Sequence, residues 1–193
     1  MYKFIVIESK LNIDQYESML LSLFSEFIDI DKVDKYDHQL IIYFNHDLEH
    51  SLKDVIINLS QDTLVDFRLY ESHRYILKED LERSLDFIKN KLKTISFNLY
   101  TYLDDHIIML HFIDHLNKSF KAFVFGKFMH DQIMLETIKT FLEHNQNVGL
   151  AAKALYVHRN TLTQRLDKFY QTTGFDVRKF MDGLIVYHLL RLT

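Results

Sequence analysis

Apolar residues crowd the start of the chain, with YKFIVIE at residues 2–8 forming a run rich in strand-forming side chains. The period then changes. In DQYESMLLSLFSEF, residues Tyr16, Met19, Leu20, Leu23, Phe24 and Phe27 recur at three- and four-residue steps and predict one buried helix face. Asp14, with Glu17 three residues on, has the spacing of a capping box. IDKVDKY and QLIIYFN flank Asp37 and His38 and predict a hairpin. A second helical period follows in DLEHSLKDVIINLSQ, through Leu48, Leu52, Val55, Ile56 and Leu59. TLVDFRLYE then alternates, Leu64, Asp66 and Arg68 against Val65, Phe67 and Leu69, as a half-buried strand does. The order β-α-β-β-α-β over residues 1–76 is that of a ferredoxin-like domain, two helices on one face of an antiparallel sheet.

From residue 77 to 130 the pattern predicts a helical connector or dimerisation region. EDLERSLDFIKNKLKTI places Leu81, Leu85, Ile88 and Leu92 on one face, FNLYTYLDDHIIMLHFIDHL continues as a second apolar helix, and FKAFVFGKF crosses into the last third near Gly126. Residues 131–193 read as an all-α domain of four helical pieces. Met134, Leu135, Ile138, Phe141 and Leu142 make the first stripe. NQNVGLAAKAL is the second, with Asn145 or Asn147 as N-cap and two small residues, Ala151 and Ala152, that admit a close neighbour. After a short YV turn, HRNTLTQRLDKFYQTTG buries Leu162, Leu166 and Phe169 and stops at Gly174. FMDGLIVYHLLRL closes the chain with Met181, Leu184, Ile185, His188, Leu189 and Leu192 in register. The fold class expected is α+β: a ferredoxin-like βαββαβ domain, a helical connector and an all-α C-terminal helix-turn-helix domain.

The third of these pieces carries unusual chemistry. VHRNTLTQRL spends its polar face on amide, hydroxyl and guanidinium groups, which hydrogen-bond to base edges and phosphates. Two short helices joined by a tight turn, alanines in the first and such a face on the second, describe a helix-turn-helix whose second helix enters the major groove. Arg159 has the fork for guanine, and Asn160 and Gln164 have the amides for adenine. Thr161 and Thr163 suit a thymine methyl or a phosphate, and His158, Arg165 and Lys168 suit phosphates. The bland reading is a helical hairpin with a solvated polar face.

Composition narrows this. The 193 residues are 48% hydrophobic and 26% charged, ordinary globular values, and long enough to bury a core without staples. Cysteine is absent, which excludes disulfides and thiolate metal sites. The longest apolar runs are too short for a membrane span or a signal-peptide core, so no membrane partner and a cytoplasmic location are expected. The net charge of -4 is unevenly placed. Residues 134–193 hold 8 Lys and Arg against 5 Asp and Glu, and the preceding part holds 15 against 22. The basic end is the one with the polar helix.

The run NVGLAAKALYVHRNTLTQRLDKFYQTTGFD resembles the C-terminal helix-turn-helix of the PucR/CdaR family of bacterial transcription regulators, with Thr-Gly-Phe-Asp in place of the usual Thr-Gly-Leu-Asp. MLETIKTFLEHNQN resembles the first helix of that module. The likeness covers about 60 residues, with a more distant similarity to the DNA-binding end of Fis. It implies a sequence-specific transcriptional regulator that binds double-stranded DNA. Arg159, Asn160 and Thr161 would open the recognition helix, and Arg165 would follow. Where the family often has Arg-Tyr, this chain has Thr163 and Gln164. The family often precedes the module with a degenerate cyclase-like domain of the βαββαβ order. Here the β2-β3 tip reads KYDHQL, with no glycine and one carboxylate, Asp37, so no cyclase activity is expected. No counterpart of the long N-terminal sensory region of many members is expected.

Other constellations weigh less. His111 and His115 have metal-chelating spacing, but no HExxH glutamate accompanies them, and a solvated or interface face is the better reading. FNLYTY and FKAFVFGKF are dense in aromatics, as a core, a dimer interface or a small-molecule effector pocket would be. No Gly-rich phosphate loop, GxSxG or cysteine nucleophile is present. Asp66, Arg68 and His73 are the nearest acid–base candidates, on what reads as an exposed strand face. The expectation is therefore a non-enzymatic regulator without cofactor, dimeric because one recognition helix reads few base pairs. The alternative is a protein-interaction module with a vestigial helix-turn-helix that docks another regulator.

Overall fold

The computed structural model describes residues 2–46, 48 and 51–192. The contacts divide the chain into two units, residues 1–105 and residues 106–193.

The first unit is built on strands β1 (Lys3–Ser9), β2 (Lys32–Tyr36), β3 (Gln39–Phe44) and β4 (Phe67–Glu71), with helix α1 (Glu17–Phe24) after β1 and α2 (Lys53–Thr63) after β3. Their sheet order, β2-β3-β1-β4, with every neighbouring pair antiparallel, is the ferredoxin-like one. The hairpin turns at Asp37 and His38, closed by the pair Tyr36 and Gln39. The start of the second predicted helix falls partly on Asp47, Glu49 and His50, outside the described residues.

Ile5, Ile7, Leu40, Ile42, Phe67 and Leu69 face a core filled by Leu20 and Phe24 of α1 and Ile56 and Leu59 of α2. Phe27, predicted on the same face, is exposed because α1 ends at Phe24. The capping box does not form either. Asn12 caps a 3-10 turn ahead of α1, and Asp14 and Glu17 both pair with Lys35 of β2, at 2.8 and 2.7 Å.

The other sheet face is covered too. Helix α3 (Lys78–Leu92) is tied to it by Tyr75 donating to Ser84, by Lys89 over the Tyr36 ring, and by Arg68. Arg68 is only 3% exposed. It pairs with Glu8 at 2.6 Å and donates to the carbonyls of Leu92 and Ile95, each at 2.9 Å. At Arg68 the predicted exposed strand face is thus an interior one, whereas Leu64 and Asp66, ahead of β4, stay exposed. Phe4 to Ile7 are all fully buried for the same reason: a strand covered on both sides has no polar side to alternate with.

The segment expected as a second connector helix contains a strand instead. Residues Tyr102–Asp104 form β5, which extends the sheet in parallel beside β4. Residues 77–130 are therefore shared between the units, α3 and β5 in the first and everything from His106 in the second.

The second unit is helical throughout: α4 (Asp105–His111), α5 (Lys118–Phe125), α6 (Gln132–Glu143), α7 (Val148–Ala154), α8 (Arg159–Thr173) and α9 (Phe180–Leu190). α6 lies at its centre, packed on α7, α8 and α9. Ile185 and Leu189 are buried as predicted, with Gly183 and Val186 beside them, while Met181, Leu184 and His188, predicted on the same face, are exposed. Gly183 lets α9 approach closely, since a Cβ there would stand 3.0 Å from Leu142 and Gln146. Asp182 enters with it, accepting from the Asp176 amide at 2.8 Å and lying 3.2 Å from His106.

Candidate nucleic-acid interface

The two helices that would meet DNA are short and firmly ended. Asn147, extended at φ -89, caps α7 by accepting from the Leu150 amide at 3.0 Å. The turn before it runs through Asn145 and Gln146, both left-handed, and Gln146 is pinned to the Val177 carbonyl at 2.7 Å. Ala151 and Ala152 are buried, as their size predicted.

α7 stops in a Schellman turn: Val157 N–H bonds the Ala152 carbonyl and Tyr156 N–H that of Lys153. Its left-handed residue is Tyr156, at φ 54, where glycine is the usual choice. The Tyr156 side chain is 96% exposed. His158 then caps α8, its Nδ1 accepting from the Asn160 amide at 3.2 Å.

α8 buries Leu162, Leu166, Phe169 and Thr173 at helical spacing. Phe169 meets the rings of Phe125 and Phe128 at 5.8 and 5.7 Å. The helix ends on Gly174, left-handed at φ 78, whose amide bonds the Tyr170 carbonyl. Opposite the buried stripe, Asn160, Gln164 and Lys168 follow one another at four-residue steps along an exposed face.

The eight side chains singled out from sequence divide into three groups. Arg159, Asn160, Gln164 and Lys168 are exposed, and no side-chain hydrogen bond or ion pair holds them within the described residues. Thr161 and Thr163 are half-buried beside them. His158 and Arg165 have internal duties. His158 is the cap, and Arg165 donates to Thr137 Oγ1 of α6 at 2.9 Å, fastening α8 to the centre of the unit. Farther along, Arg178 is held by Asp176 and Asp167 at 2.6 and 2.7 Å; these bonds, Asp176 first, raise its pKa above the usual arginine value.

One contact was not visible in the sequence. The Arg159 guanidinium lies over Gly149 of α7, so close that a Cβ there would stand 2.9 Å from Nη2 and 3.3 Å from both Cζ and Asn147 Oδ1. A lone glycine inside a helix was the only signal, and the periodicity passes over it.

Elsewhere the candidates do not assemble. Asp66 pairs with Lys10 at the surface, Arg68 is consumed by Glu8, and His73 Nδ1 lies 2.5 Å from Asp105, which also accepts from Tyr70. His111 ends α4 and His115 sits on a separate 3-10 turn, so the two do not share a helix face. Among the described residues no group of three or more His, Asp or Glu side chains converges as a metal site would require. No helix among them is long and apolar enough to cross a membrane.

A trihelical arrangement in which α7 and α8 meet through a tight turn, with the second helix offering unpartnered amide and guanidinium groups, defines a helix-turn-helix domain. Its kind can be stated more narrowly: residues 134–192 match the PucR C-terminal helix-turn-helix domain. The chain is 44% identical over 54 residues to the uncharacterized protein YxkF of Bacillus subtilis (strain 168), covering 28% of this chain and 18% of that protein. It is 37% identical over 60 residues to the carbohydrate diacid regulator of Escherichia coli (strain K12), covering 31% and 16%. A longer stretch of 125 residues is 28% identical to the DNA-binding transcriptional activator AdeR of Bacillus subtilis (strain 168), covering 65% and 29%. The matched stretches span less than a third of each relative's own length.

Proposed function

We propose that the protein is a sequence-specific, DNA-binding transcriptional regulator of the PucR/CdaR type, without a catalytic role, working in the cytoplasm. α8 is its recognition helix and lies in the major groove. The observation that carries this is the state of α8's exposed side chains: Arg159, Asn160, Gln164 and Lys168 have no side-chain partner among the described residues. Asn160 and Gln164 have the amide pair that reads adenine, Arg159 the fork that reads guanine, and Lys168 the charge that neutralises a phosphate. Thr161 and Thr163 supply shorter contacts at the margin, and the His158 ring stands beside the entering phosphate strand. Arg165 acts from behind by holding α8 on α6.

One such helix reads few base pairs, so the protein binds as a homodimer on two half-sites about one helical turn apart. The first unit is the place for a small-molecule effector. Phosphate contacts make binding steeply salt-dependent.

The test is selection of genomic DNA fragments by the purified protein at near-physiological salt, with Arg159→Ala beside it. The expected outcome is an enriched, two-fold symmetric motif that the variant loses without any fall in its melting temperature. Weak binding without sequence preference by both proteins would sink the reading, and would point to a vestigial helix-turn-helix that docks another regulator.

A further inference from the structure

Gly149 is the second residue of α7, inside a helix, where glycine is less favourable than alanine. Its backbone does not ask for it, since the left-handed glycines are Gly126 and Gly174. What its missing side chain provides is room. Arg159 begins α8, and its guanidinium lies in the space a Cβ would take, 2.9 Å from that Cβ at Nη2. No hydrogen bond or ion pair to a described residue holds this guanidinium, so its place is set by packing on α7.

We infer that Gly149 is a positioning residue for Arg159: the bare helix surface at Gly149 is a slot that holds the guanidinium at the α7–α8 junction, ordered before DNA arrives. This rests on α8 being the DNA-reading helix. A long side chain loses rotamer freedom on binding, and ordering it beforehand removes part of that cost. Even the smallest added side chain closes the slot. The methyl of an alanine meets the flexible end of Arg159, so the arginine moves and the helix does not. The same methyl would stand 3.3 Å from Asn147 Oδ1, tighter than an ordinary contact, so the capping oxygen must give by a few tenths of an ångström.

The experiment compares Gly149→Ala with the wild-type protein, alone and in an Arg159→Lys background, on the DNA fragment the wild type selects. Alanine should leave the melting temperature unchanged or raised. It should weaken DNA binding about three- to tenfold, the scale of one pre-ordered long side chain. In the Arg159→Lys background, which has no planar guanidinium to seat, the alanine should have no further effect. Unchanged binding by Gly149→Ala overturns the inference. An equal loss in both backgrounds overturns it too, since the methyl would then obstruct α7 itself.

A second arm needs no DNA. The Arg159 Nε–Hε NMR resonance should shift and sharpen in Gly149→Ala as the side chain is released. If the wild type selects no DNA the regulator reading falls, and this resonance alone decides the positioning: movement upholds it, constancy ends it.

Discussion

Helices α3 and α8 are each 15 residues long and rich in polar side chains, yet they use them in opposite ways. α3 satisfies itself. Glu79 and Asp80 stand in its first turn and Lys89 and Lys91 in its last, the arrangement the helix dipole favours. Lys78 reaches Glu82 at 3.7 Å, Asp80 pairs with Arg83, and Lys89 lies over the Tyr36 ring. α8 opens with a cation at its positive end, has no acid in its first turn, and leaves Arg159, Asn160, Gln164 and Lys168 without a side-chain partner among the described residues. The difference teaches how to tell a solvated face from an interface. Charges that serve their own helix are a surface; donors that work against it are there for something else.

Three experiments press on this contrast. The largest effect belongs to the side chain α3 shelters. Arg68→Met leaves Glu8 buried without its cation, and the loss of a partner from such a pair costs about 3–5 kcal/mol. Urea unfolding should show that loss; a midpoint near wild type would mean that α3 covers the sheet without depending on its buried arginine.

The second is alkaline. Burial, then the charge of Asp105, raises the pKa of Tyr70 and Tyr75 well above the ordinary value near 10, and burial does the same for Tyr43 and Tyr102. A folded pKa above the unfolded one gives stability that is complete below pH of about 10 and declines as the pH rises further. The melting temperature should therefore fall above that point, and Tyr70→Phe should flatten the fall. Tyrosinate absorbance that completes before unfolding begins would contradict it.

The smallest effect is on α8. Arg159→Gln removes a cation from the positive end of the helix and should stabilise the protein by about 0.3–1 kcal/mol while weakening DNA binding. A loss of stability would mean that Arg159 serves the fold, and the contrast with α3 would disappear.

Much of the molecule could be read from the sequence because the signals were local. The βαββαβ order followed from changes of period, and the hairpin from Asp37 and His38 between two apolar runs. In α8, Leu162, Leu166, Phe169 and Gly174 fixed the buried face and the stop, so the exposed face followed by subtraction.

What stayed hidden depended on partners distant in sequence. β5 is three residues whose only reason to be a strand is β4 beside it. Asp14 and Glu17 had capping spacing but found Lys35 nearer, and Arg165 looked like Arg159 until Thr137 took it. Arg68 alternated as an exposed residue should, although the unbroken apolar run from Phe4 to Ile7 already implied a second covered face.

The place of β1 in the sheet also governs how the first unit comes together. β1 is held on one side by β3, with Lys3 opposite Phe44, and on the other by β4, with Ile5 opposite Glu71. Neither of its edges can be satisfied by nearby chain, so its loops must close over long separations before any reward is collected. During synthesis β1 is made before either of its partners, and one of its edges stays open until β4 has been made. The contacts of α6, α7 and α8 are drawn from neighbouring helices and ask for no such delay. The helical unit is thus the one built to fold fast, and the sheet unit that precedes it along the chain is the one that most needs protection from sticking to its neighbours.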